Sequence, residues 1–110
     1  MKIVPARIVW EPGRDTFTLL ADEHSRFGFI AEPTNGRFAS MLWEVDEQEQ
    51  VTGAVAGVEI LDFMGFSDWE DLPKLPLLWQ VSGSEPLPLD ELLKRAQGEL
   101  RSQDPVLART

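Results

Sequence analysis

The sequence predicts an α+β domain: a small antiparallel sheet of two β-hairpins, with one further short strand as a candidate, a proline-rich aromatic arm and one C-terminal amphipathic helix. Three observations carry this. Apolar and polar residues alternate in two blocks, each interrupted by turn residues. Prolines crowd the chain after Phe63. Only "LPLDELLKRAQGELRSQ" shows helical spacing, with Leu89, Leu92, Leu93, Ala96 and Leu100 along one stripe.

The first block opens with "KIVPARIVW", where Val4, Ala6, Ile8 and Trp10 share a face and Arg7 takes the other; Pro5 places the start of this strand at an edge. "EPGRD" supplies a turn, and Phe17, Leu19 and Ala21 then alternate with Thr16 and Thr18, so residues 2–21 are read as a hairpin. Between Asp22 and Gly36 the pattern breaks, with "FGFIA" the candidate short strand before the turn-forming "EPTNG". The second hairpin places Ala39, Met41, Trp43 and Val45 together, turns at "DEQEQ" and continues into "VTGAVAGVEILDFMGF". This is the most apolar stretch of the chain. Its β-branched Val51, Thr52, Val55, Val58 and Ile60 favour a strand, and its glycines disfavour a helix by about 1 kcal/mol each, so a long central strand bent near Gly53 or Gly57 is expected.

The segment from Gly65 to Pro88 is punctuated by Pro73, Pro76, Pro86 and Pro88 and is read as an arm with little regular structure. Within it "SDWEDL" suits one helical turn, capped by Ser67 with Glu70 three residues on. The helix follows, its stripe seeking the exposed face of the sheet. Residues 1–103 are expected to form one domain and 104–110 a flexible tail.

Composition limits the function classes. One domain of 110 residues, 43% apolar, has the material for one core. The net charge of −9 repels phosphate backbones and anionic lipid, so neither nucleic acid nor a membrane surface is expected as a partner. A spanning helix needs about 20 mainly apolar residues, and the longest uncharged run in the apolar stretch is Gln50 to Val58. No apolar leader stretch follows Met1, and a cytoplasmic location is expected. Cysteine is absent, which excludes disulfides and thiolate metal sites.

"IVWEPGRDTFTLL" followed by "MLWEVDEQEQVTGAVAGVEILDF" resembles a widespread family of small bacterial domains of unknown function. Its members join a turn-Asp-x-hydrophobic hairpin to an acidic strand, a turn and a Gly-Ile-Glu-Ile-Leu ending, which here reads Gly57, Val58, Glu59, Ile60, Leu61. The resemblance covers about half the chain. Trp10-Glu11 stands where the family has an aromatic followed by Asp, the segment from Asp22 to Gly36 is long, and extra residues precede Gly57. It implies a β-rich fold and assigns no activity.

Few residues suggest catalysis. His24, the single histidine, lies in the polar "ADEHSR", where a solvated loop is the expectation over a general base. Glu59 and Asp62 interrupt the most apolar strand; Glu59 is expected on its less buried face beside a cation such as Arg7 or Arg14. "DEQEQ" lacks the glycine and terminal glutamate of a calcium loop, and "GAVAG" lacks the Lys-Ser/Thr of a phosphate loop. No catalytic residue, cofactor or metal is therefore assigned.

Aromatic content points instead to contacts. Four tryptophans and six phenylalanines are a large apolar payload for a small sheet-and-helix core: either all four tryptophans fill it under the proline-rich segment, or at least one is left for an interface, with Trp69, Trp79 and Phe66 in the arm the candidate interface residues. The expected function is a non-enzymatic protein-binding or regulatory module that forms a homodimer and takes an unidentified protein partner. One alternative is a small enzyme or ligand-binding protein using Glu59, Asp62 or His24 in a pocket between sheet and arm. Another is an acidic mimic of nucleic acid, which needs its carboxylates gathered on one face.

Overall fold

Strands β1 (Lys2–Glu11) and β2 (Thr16–Ala21) form the first hairpin, from Ala6 opposite Ala21 to Glu11 opposite Thr16. Its turn is a single 3₁₀ turn, Pro12–Arg14, closed by Asp15 in the left-handed conformation with φ 49°. The pattern of alternation is realised in most positions: Phe17, Leu19 and Ala21 are buried, as is Ala6, with Val4 and Trp10 packed against them, whereas Ile8 on the same face is exposed and Thr16 is buried. The computed structural model describes residues 1–34, 36 and 38–103; the expected tail at 104–110 lies outside these.

The second hairpin consists of β4 (Ala39–Val45) and β5 (Val51–Ile60), with β3 (Phe29–Pro33) antiparallel to β4 on its far side. Its register slips twice. Leu42 pairs with Gly57, Trp43 with Val55 and Val45 with Val51, so β5 carries Ala56 as an extra residue and then a second irregularity around Gly53, whose φ is 92°. The strand is thus irregular at both of the places between which the sequence left the bend open.

The arm differs most from expectation. It crosses the helix side of the sheet from β5 to the opposite edge, and there a sixth strand, β6 (Leu77–Val81), pairs parallel to β1 from Lys2 opposite Leu77 to Ala6 opposite Val81. The resulting six-stranded sheet, ordered β3-β4-β5-β2-β1-β6, is mixed: antiparallel but for this one pair. Crossing the sheet without pairing suits a segment where Pro73 and Pro76 have no N–H to leave unsatisfied. The helical turn is a 3₁₀ turn, Trp69–Asp71, with Asp68 and not Ser67 at the capping position and no side-chain cap bond.

Helix α1 (Leu89–Gln103) buries Leu89, Leu92, Leu93 and Ala96, the expected stripe, while Leu100 packs at its margin. The core lies between this helix, the arm and one face of the sheet. Trp79, Phe17, Phe63, Leu19, Ile60, Leu93 and Val58 are its fully buried members, and the Phe17 and Phe63 rings stack at 4.2 Å. Among the described residues, no helix is long and apolar enough to cross a membrane.

Gln97 is buried in the same layer. Its Nε2 donates to Phe63 O at 2.7 Å and Phe66 O at 2.8 Å, while Asp15 Oδ1 accepts from Met64 N at 3.0 Å and Arg101 Nε donates to Met64 O at 2.9 Å. Helix and first hairpin thereby hold the 3₁₀ turn Phe63–Gly65 from both sides. Replacing Gln97 with leucine leaves two carbonyls without this donor and is expected to cost about 1–3 kcal/mol in a urea melt. An unchanged midpoint would show that the bonds contribute nothing net.

Candidate functional site

The sequence-nominated acids and histidine do not converge. His24 is exposed, with Nδ1 3.2 Å from Ser25 O and its ring edge-on to Phe29 at 6.1 Å. Ser25, next to it, donates its N–H to Glu44 and its hydroxyl to Val45 O at one end of β4. Glu59 pairs with Ser40 and Thr18 toward the other end, and four residues of strand separate Ser40 from Glu44, on the order of 13 Å. Glu59 is half-buried on the face away from the helix, between those two hydroxyl residues; neither expected arginine pairs with it, and Arg14 instead meets Glu11 at 3.6 Å. Asp62 is an exposed left-handed turn residue with φ 50°.

The nominated aromatic anchors require correction. Trp79 is 0% exposed, because β6 presents it to the core opposite Val4, and Phe66 is also buried. Neither is available to a partner while the fold is intact. Trp69 alone remains half-buried, edge-on to Phe66 at 5.0 Å and with Lys94 Nζ 5.8 Å from its ring centroid. Trp10 and Trp43, expected to face inward, are half-buried at the core margin.

Clefts flank the arm. One of about 230 Å³ is lined by Trp69, Pro73, Lys74, Trp79, Pro88 and Asp90. Two wider ones open on either side of Trp43, whose indole N–H is buried without a partner among the described residues. None of Glu59, Asp62 and His24 lines these clefts. Asp68, Glu70 and Asp71 bring carboxylate oxygens within 4.8 Å of one another on the adjacent turn. Among the described residues this is the one group of three such side chains close enough to share a cation, and three carboxylates from one partly exposed turn do not by themselves make a metal site.

The two sheet edges differ sharply. At the outer side of β6, Trp79 N donates to Leu87 O at 2.8 Å and Leu87 N to Trp79 O at 2.9 Å, which closes that edge at its centre. At β3 the backbone parity is fixed by two bonds, Val45 N to Gly28 O and Thr34 N to Ala39 O. Bonded pairs recur at every second residue of an antiparallel ladder, so Gly28, Ile30, Glu32 and Thr34 turn toward β4. Phe29, Ala31 and Pro33 turn their backbone groups outward.

Every residue of β3 is exposed, Phe29 at 40% and Ile30 at 45%, with Phe27 at 44% just before it. An open edge bearing large apolar side chains is the arrangement that soluble proteins ordinarily blunt with charge or cover. Sequence reasoning passed over these residues as a site; the available signal was "FGFIA", an apolar island in an otherwise polar segment. Comparison of the chain with family models, with curated proteins and with solved structures finds no match.

Proposed function

We propose that the chain is a non-enzymatic protein-binding module that self-associates, and that its contact surface is the β3 edge with the aromatic residues beside it. The observation that carries this reading is the contrast between the edges: β6 is closed by Leu87, whereas among the described residues β3 leaves Phe29 and Ala31 with unpaired backbone groups beside exposed apolar side chains. Scattered acids and an isolated histidine offer no competing catalytic constellation. A stable dimer buries at least about 1,000 Å² in total, more than the backbone edge of a five-residue strand supplies, so the exposed side chains of Phe27, Phe29 and Ile30 must be covered as well.

Sedimentation at micromolar concentration tests this. The expected species has twice the 12.4 kDa chain mass. Ile30→Lys puts a charge on the edge at a position that does not enter the core, and should weaken association by about 2 kcal/mol or more, roughly 30-fold, with the melt retained. A monomer for the unmodified chain overturns the reading, as does a dimer that Ile30→Lys leaves intact.

A further inference from the structure

We propose that two copies of the chain join β3 to β3 in antiparallel register about a two-fold axis through Ile30. This rests on the reading of β3 as the contact edge and specifies its partner and geometry. The outward groups are symmetric about Ile30: Phe29 and Ala31 each present one N–H and one C=O. In this register Phe29 of one copy stands opposite Ala31 of the other, and vice versa, so four backbone bonds form and every outward donor of the strand is used.

Neighbouring registers fit worse. Centred on Ala31, the pairing sets Phe29 against Pro33, whose nitrogen cannot donate, and Ile30 against the Glu32 carboxylate. Centred on Phe29, it sets Ala31 against Phe27, whose N–H is already given to Ser25 Oγ at 3.2 Å. Centred on Ile30, the two Ile30 side chains meet in a non-hydrogen-bonded pair, where side chains approach most closely, and Glu32 faces Gly28.

Charge supports a second copy. A net −9 on each chain opposes association, so the contact must bring opposite charges together locally. Arg26 precedes the strand and Glu32 lies near its end, and antiparallel pairing carries the cation of one copy toward the carboxylate of the other. Assembly then stops at two, because the interface is isologous and Leu87 already occupies the β6 edge.

The absence of cysteine from the natural chain makes single-cysteine variants clean probes. Ile30→Cys should form an intermolecular disulfide readily under mild oxidation, since residues opposite each other in a non-hydrogen-bonded pair have Cα atoms about 4.5 Å apart, within disulfide range. Glu32→Cys should not, because the two copies of this position lie about 13 Å apart along the paired strands. Ala31→Pro removes an outward N–H that β4 does not use, and should weaken the dimer tenfold or more while the circular dichroism of the fold is kept. A dimer in which Ile30→Cys fails to cross-link, or Glu32→Cys cross-links as well, overturns the register and leaves the edge reading standing. A monomer, or a chain that takes only a foreign extended peptide on β3, overturns the pairing of copies itself.

Discussion

Truncating Trp79 to alanine is expected to lower stability by about 3–5 kcal/mol, a large share of the roughly 5–15 kcal/mol that holds a domain of this size together. Its side chain is wholly buried and is the largest in the core, while its backbone is bonded to Leu87 on one side and its strand to β1 on the other. A cavity there loosens β6, and a loosened β6 uncovers the β1 edge, so aggregation on heating should accompany the loss. Trp69→Ala is the comparison: that ring is half-buried at the arm surface and its removal should cost less than half as much. Urea melts of both variants decide the matter. A Trp79→Ala midpoint close to that of the unmodified chain would show that the ring is not a core element and would reopen its assignment to an interface.

Why the sequence suggested an interface for Trp79 is instructive. Hairpin strands are legible because each pairs with a neighbour in the chain and keeps one less buried face, which leaves alternation such as Phe17, Leu19, Ala21 against the half-buried Thr18 and Leu20. The helix stripe is legible for the same local reason. Strand β6 pairs instead with β1, from Leu77 to Lys2, across about two thirds of the chain. "LLWQV" shows no clean alternation, and its flanking prolines read as loop. A parallel partner so remote leaves no local trace.

The proposed contact edge was half legible. "FGFIA" could be recognised as a short strand, but whether it is central or at an edge depends on the order in which strands assemble. Which of its backbone groups face outward depends on the register set by the Gly28–Val45 and Thr34–Ala39 bonds. The nominated acids failed as a site for the complementary reason: Glu59, Asp62 and His24 stand out by residue type, yet the topology assigns them to different parts of the sheet.

Gly57→Ala is expected to destabilise the chain at or beyond the upper end of the about 1–3 kcal/mol that overpacking usually costs. A β-carbon at this position would lie 2.1 Å from Leu19 O, 3.1 Å from Leu19 C and 3.2 Å from Leu20 Cα. All three are backbone atoms of β2, so no rotamer change can relieve the contact, and the oxygen is more than roughly 1 Å inside ordinary separation. β2 cannot retreat freely because β1 is paired along its other side, and Gly57 is itself held between Leu20 and Leu42 beside the extra residue Ala56. The β2–β5 ladder must therefore open. Gly98→Ala provides the opposite case: it lies in α1 with open space around the added carbon, and should stabilise by about 0.5–1 kcal/mol. Thermal melts of the two variants should move in opposite directions, and a Gly57→Ala loss under about 0.5 kcal/mol would refute the close approach of the strands. Strands β3 and β4 hang on the sheet through β5, so Gly57→Ala should weaken the proposed association and the fold together, whereas Ile30→Lys should weaken association alone and leave the melt in place.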